Sequence, residues 1–271
     1  MQKITVKNIS DFLFRWAPQN LAESWDSVGL QIGGTTIEVR NILVSLDVTP
    51  QVLEEAVQTK CNLLITHHPL FFKPLTRLDD STLVMRLVRR AVEEKINILS
   101  FHTNLDSTQD GLNDLLAHQL GLKKIRPLIC SEKNNKVGMG RLGSLSRTSL
   151  KALLQKLSKK LQISSMRYVG DLNQPIESVA IVTGSGADYF SIAQPLGANV
   201  LITSDLKYHT ALDALHEGMC IVDIGHFASE RGMISLVANR LKTFLSQKSW
   251  KGKVYESLVQ KDPFQFFYSE V

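Results

Sequence analysis

Cysteine is scarce in this chain of 271 residues. Cys61, Cys130 and Cys220 stand far apart, form no CxxC pair and are odd in number. That argues against a disulfide framework and against a thiolate metal knuckle, and it fits a reducing, cytoplasmic compartment. Long apolar runs are missing too: no stretch approaches the roughly 18 residues that a membrane helix needs. The opening MQKITVKNISDFLFRW reads as an amphipathic helix without the apolar core of a signal peptide. A strong field of one sign is also absent. Lysine and arginine number 31 against 26 aspartates and glutamates, a net charge of +5. Clusters such as Lys123-Lys124 and Lys159-Lys160 read first as a solvated surface. Nucleic acid is a less favoured partner, and a small anionic substrate suits the sign.

What is present is an ordinary globular composition, 44% hydrophobic and 21% charged, long enough for one large or two medium domains. The first readable helix covers about 10–24, with Ser10 or Asp11 as cap and an apolar stripe of Phe12, Leu13, Trp16 and Leu21. The loop WDSVGLQIGG follows, then the strand NILVSLD. A helix starts at Thr49-Pro50 and ends near Lys60, and the buried strand NLLIT comes next. Strand–helix–strand implies a parallel pair and an α/β fold. Helices are expected over about 82–94 and in GLNDLLAHQLG, closed by Gly121. Between them lies the strand INILSF. A connector and hairpin at about 127–143, containing SEKNNK, divides the chain. The helix SLKALLQKLSKKL and the strand SVAIVTG follow.

An internal repeat organises these elements. AVQTKCNLLIT (56–66) aligns without a gap on AQPLGANVLIT (193–203), and the same register places strand 42–44 on strand 179–181. INILSFHTNLD matches CIVDIGHFASE, with His102 on His226 and Asp106 on Glu230. The expectation is two related α/β modules, 1–127 and 128–271, with a C-terminal strand near Val254 that could join either.

Ligands of open parallel sheets bind beyond the carboxyl ends of strands. Three polar clusters fall there: Thr66-His67-His68-Pro69, His102-Thr103-Asn104-Leu105-Asp106 and His226-Phe227-Ala228-Ser229-Glu230. Adjacent residues in extended chain point to opposite sides, so His67 and His68 suit two ions flanking the backbone better than one. Taken alone, such a pair is more often explained by hydrogen bonds to turn carbonyls. His226 and Glu230 share a helical face if a helix starts there, as do many surface His–Glu pairs. Asp106 could instead cap a helix.

Together the five residues offer three imidazoles and two carboxylates, enough for two divalent cations with positions left for water. Such pairs can turn a water into a nucleophile. Mixed nitrogen and oxygen ligation suits Zn, Mn, Fe, Co or Ni without choosing among them. His102 is a candidate proton shuttle or supporting group. Asp205 and His209 are candidate substrate or supporting groups, with a polar helix-starting turn as the alternative. The loop Gly184-Ser185-Gly186-Ala187 could cradle an anion or be a tight turn. GMGRLG at 138–143 has the letters of a dinucleotide fingerprint without the preceding strand or the later acid, and reads as a hairpin.

The motifs WDSVGLQIG, LITHHPLFF, HTNLD, GSGA, TSDLKYH, IGHFASE and a terminal DPF resemble the Nif-three-like family, often labelled GTP cyclohydrolase I type 2 homologues. They span nearly the whole chain. The resemblance implies two related α/β domains with a dinuclear metal site in the cleft between them, held by His67, His68, Asp106, His226 and Glu230. It also implies a ring-shaped homohexamer and the short form, without an inserted middle domain. Ser27 stands where the family pattern has Asn. The function this implies is a metal-dependent hydrolase of a nucleotide or another phosphate-containing small molecule. The alternative is a non-catalytic metal-binding regulator or chaperone that contacts protein or nucleic acid.

Overall fold

A computed structural model describes residues 3–131 and 134–267. Glu132 and Lys133 of the SEKNNK run lie outside them.

The first helix, α1 (Val6–Trp16), starts earlier than expected. Thr5 caps it through the Asn8 amide, and Asn8 returns the bond to the Thr5 backbone. This reciprocal box outcompetes Ser10 as a start. Its buried face is Val6, Ile9 and Leu13. The helix stops before Pro18, which cannot continue it. Strands β1 (Gly29–Ile32) and β2 (Ile42–Ser45) follow, then α2 (Pro50–Gln58), capped by Thr49, β3 (Leu63–Thr66), α3 (Leu83–Glu93), capped by Thr82, β4 (Asn97–Ser100), α4 (Thr103–Ser107) and α5 (Leu112–Gln119). The second series runs β5 (Lys123–Pro127), β6 (Arg141–Ser149), α6 (Leu150–Leu161), β7 (Arg167–Val169), β8 (Pro175–Ile181), α7 (Phe190–Ala193), β9 (Val200–Thr203), α8 (Tyr208–His216), β10 (Cys220–Asp223), α9 (His226–Glu230), α10 (Gly232–Ser246) and β11 (Val254–Glu256). GMGRLG is the turn into β6, with Gly138 and Gly140 at positive φ. Among the described residues, no helix is long and apolar enough to cross a membrane.

The strands form two sheets, ordered β1-β4-β3-β2-β11 and β5-β6-β8-β9-β10-β7. In each, three consecutive strands are parallel (β2-β3-β4 and β8-β9-β10), and the strand preceding the trio in sequence, β1 or β7, pairs antiparallel with its last member. The chain is therefore an α/β protein of two related modules. β2, β3, β4, β9 and β10 are buried along their whole length, which is why they read as unbroken apolar runs.

The closing helices are exchanged between the modules. Leu116 and Ala117 of α5, with Leu120 at its C-cap, pack with Val179, Ile181 and Val200 of the second sheet. Met233, Val237, Ala238 and Leu241 of α10 pack with Ile42, Val44 and Ile65 of the first. β11 then adds to the first sheet, parallel to β2. A buried ion pair ties the halves as well: Arg141 Nε lies 2.5 Å from Asp114 Oδ1 and Arg141 Nη2 lies 2.7 Å from Asp114 Oδ2, with the arginine 1% exposed. The carboxyl ends of the two parallel trios thereby converge.

Candidate metal centre

The five residues anticipated at strand ends meet at that junction. His67 and His68 follow β3, Asp106 lies on α4 after β4, and His226 and Glu230 open and close α9 after β10. His67 and Glu230 are 0% and 2% exposed, and Asp106 is 5% exposed. The two imidazoles do not diverge as extended backbone would require: the chain bends at His67 and His68, just past β3, and turns both rings into one cluster with centres 5.1 Å apart.

Glu230 stands between them. Its Oε2 lies 3.0 Å from both His68 Nε2 and His226 Nε2. Its Oε1 lies 3.7 Å from His67 Nε2, and Asp106 Oδ1 is 3.7 Å from the same nitrogen. One carboxylate thus faces two donor sets, His68 with His226 and His67 with Asp106. Two overlapping trios, His67–His68–His102 and His68–His226–Glu230, each hold donor atoms within 4.8 Å of one another, as a metal ion requires. Among the described residues, His67 Nε2 and Glu230 Oε2 are the buried side-chain polar atoms without a well-directed hydrogen bond, although Oε2 lies at ion-pair distance from His68 and His226. A buried imidazole nitrogen and a buried carboxylate oxygen left in this way are costly unless something else satisfies them.

The other ring nitrogens are all engaged. His67 Nδ1 is 2.8 Å from the Phe101 carbonyl, His68 Nδ1 is 2.7 Å from Asp47 Oδ1, and His226 Nδ1 is 2.7 Å from Asp205 Oδ2. Anchoring Nδ1 to a carboxylate or carbonyl turns Nε2 inward and fixes its tautomer, the arrangement metal-ligating histidines use. Asp205 adopts φ 56° to reach His226. Asp47 is in turn approached by Gln260 from beyond β11, which also accepts from the Leu46 amide.

Electrostatics follow from burial and this company. Burial drives the His67 imidazole to the neutral form. Burial also opposes charge on His68, yet the Asp47 and Glu230 carboxylates override it and hold that ring up at about 10. Glu230 foremost, with Asp205, raises His226 to about 9 against burial. Burial, reinforced by the Glu230 charge, pushes Asp106 well above the usual carboxylate range. Glu230 goes well below it, because the surrounding imidazoles outweigh its own burial.

The remaining expected residues are placed differently. His102 caps α4, its Nδ1 2.9 Å from Asp26 Oδ1, and its ring centre lies 5.0 Å from that of His67. Gly184 faces the centre, but its N–H donates to Ser229 Oγ and its carbonyl accepts from Ser204. The Gly186 N–H donates to Thr203 Oγ1. The amides of both glycines are thus occupied within the chain, and Ser185 is exposed. His209 lies exposed on α8 beside Tyr208, apart from the cluster. Asp26 and Asp47 were passed over in the sequence, although Asp47 ends the buried run NILVSLD, the same strand-end position that marked the others.

The Duf34/NIF3 (NGG1p interacting factor 3) family model matches residues 4–263. The chain belongs to the DUF34/NIF3 family. A relative from Clostridium perfringens named GTP cyclohydrolase 1 type 2 homolog is 37% identical over 251 residues, covering 92% of this chain and 95% of the relative. Another of that name, from Clostridium acetobutylicum, is 34% identical over 268 residues, covering 97% and 99%. These two alignments are no longer than the chain itself, whereas a Staphylococcus epidermidis relative of the same name aligns over 365 residues and so carries additional length between the matched ends. A Staphylococcus aureus protein of known crystal structure superposes with a TM-score of 0.91 at 30% identity, covering 97% of this chain and 99% of that one.

Proposed function

We propose that this NIF3-family protein holds two divalent cations and hydrolyses a nucleotide or another phosphate-containing small molecule. The observation carrying the reading is the pair of buried atoms without a well-directed hydrogen bond, His67 Nε2 and Glu230 Oε2, within a ring of imidazoles whose outer nitrogens are all anchored. Those residues fit the group. His68 and His226 would hold one cation and His67 and Asp106 the other, with Glu230 shared. The donor set admits Zn, Mn, Fe, Co or Ni. When bound, two such cations supply Lewis acidity and a water nucleophile active near neutral pH.

The chain's own contribution is positional. Asp47, Asp205 and the Phe101 carbonyl orient the three imidazoles, and Asp26 holds a further imidazole, His102, beside His67 as a candidate proton shuttle. The relatives named GTP cyclohydrolase 1 type 2 homolog support a nucleotide as substrate. The free state of Cys61, Cys130 and Cys220 supports a reducing cytoplasm. The family resemblance supports a homohexamer, for which a solution mass about six times 30.3 kDa is expected.

Elemental analysis should find close to two divalent ions per chain, and His67→Ala and Glu230→Ala should each lower that content. Metal-loaded protein should turn over at least one member of a panel of nucleotides and phosphoesters, and stripped protein none. Absence of metal after reconstitution refutes the centre. Metal without turnover across the panel refutes the hydrolase.

A further inference from the structure

Beside His102 opens a groove of about 860 Å³, within the roughly 300–1,000 Å³ span of small-molecule sites. Its walls come from two loops, one after α1 and one after β3. The first carries Trp25 and Ser27, and the second Phe72, Lys73 and Arg77. Trp25 is 61% exposed and Phe72 56% exposed, an unusual cost in water for two large aromatic rings set in one concave surface.

Both rings adjoin the centre. Each has its centroid 5.9 Å from that of His102, with its plane steeply inclined to the imidazole. The walls are braced. The Gln31 side chain donates to the Ser27 carbonyl at 2.9 Å and accepts from the Phe71 amide at 3.3 Å, linking one loop to the other. Asp26, next to Trp25, binds His102 Nδ1 and the Thr103 amide, so the aromatic wall is fastened to the polar cluster. Among the described residues, neither Lys73 nor Arg77 forms an ion pair, although ion pairs join Arg89 and Arg90 of the following helix to acidic neighbours.

We propose that this groove is the nucleotide-binding subsite of the centre, with the flat base on Trp25 and Phe72 and the phosphates held by Lys73 and Arg77. This deepens the hydrolase reading and rests on it for what happens next, though binding itself requires no turnover. Aromatic faces accept any base by stacking, and two unpaired cations on one wall supply the complementary charge for phosphate. An uncharged apolar ligand would use the rings and leave the cations idle. Inorganic phosphate would do the reverse. A nucleotide uses both.

The test measures binding to the full-length protein, metal-stripped and metal-loaded, with GTP, ATP, guanosine and inorganic triphosphate as probes. Tryptophan fluorescence and calorimetry are the readouts, and Trp25→Phe identifies the reporting residue. Saturable quenching of Trp25 by both nucleotides is expected, with weaker binding of guanosine and of triphosphate. Phe72→Ala should weaken nucleotide binding at least about fivefold. Lys73→Ala with Arg77→Ala should reduce GTP to the affinity of guanosine. Metal content should stay unchanged in all three variants. Nucleotide affinity indifferent to these substitutions overturns the proposal, as does no nucleotide binding at all. So does a Trp25 already shielded from a soluble quencher in the free protein, which would mean that another copy covers the groove. Metal-dependent turnover that ignores the groove variants would sink the groove and leave the hydrolase standing. Groove-dependent binding without turnover would do the opposite.

Discussion

Gly184→Ala is the sharpest probe of the centre, because it removes no candidate ligand. Gly184 has φ +68°, where a side chain costs about 1–2 kcal/mol. A Cβ there would stand 2.2 Å from Glu230 Oε1 and 3.3 Å from its carboxyl carbon. Glu230 must retreat by roughly 1 Å to restore van der Waals separation. It has little room, being 2% exposed with His68 and His226 3.0 Å away on its other side. Overpacking of this kind adds about 1–3 kcal/mol, so a total loss near 2–5 kcal/mol is expected. Gly218→Ala is the matched control: its φ is +70° with nothing within 4 Å, so it should show the backbone cost alone. The assay pairs denaturant unfolding of metal-free protein with metal titration against a competing chelator. Displacing the shared carboxylate should weaken metal binding about 10–100-fold, as loss of a supporting contact does, while Gly218→Ala should leave it unchanged. Equal stability losses in the two variants, with metal affinity intact in both, would refute the placement of Glu230 at the centre.

Three further outcomes follow from the same geometry. Asp205→Ala and Asp47→Ala, which release His226 and His68, should each weaken metal binding about 10–100-fold in the chelator titration; unaltered affinity would mean that these carboxylates do not orient the rings. Asp114→Ala leaves Arg141 buried without its carboxylate and should cost about 3–5 kcal/mol in denaturant unfolding, with loss below about 1 kcal/mol refuting the assignment. In metal-free protein His68 and His226 are raised to about 10 and about 9, above the ordinary 6.5. Their contribution to stability is therefore complete below pH 6.5 and fades as pH rises through about 9 to 10. Metal must displace the same protons, so metal affinity should climb with pH across that window, with proton release seen by calorimetry in buffers of different ionisation enthalpy. A flat or falling affinity would contradict the pairing.

Much of the architecture was legible because its signals are local. Thr49-Pro50 and Thr82 announce their helices through side-chain oxygens that satisfy first-turn amides. Where two local signals competed, at Thr5 and Ser10, the reciprocal bonds of Thr5 and Asn8 prevailed. The His226–Glu230 spacing was readable because a helix repeats nearly every four residues. Asp26 and Asp47 were not readable as partners, since hydrogen bonds to His102 and His68 span 76 and 21 residues.

The sequence alone determined the duplicated frame, its buried strands, and the five side chains held at strand ends, for these depend on periodicity and on the backbone directions of strand and helix. Only the tertiary structure decided that α5 and α10 trade sheets and that β11 closes the first. It also decided how the copies differ at their junction. Asp47 follows β2, whereas Gly184 follows β8 at the equivalent place and leaves the space that Glu230 fills. Glu230 can therefore reach both donor sets, because glycine carries no Cβ to keep it out. That is a property of packing between distant segments, and no local pattern encodes it.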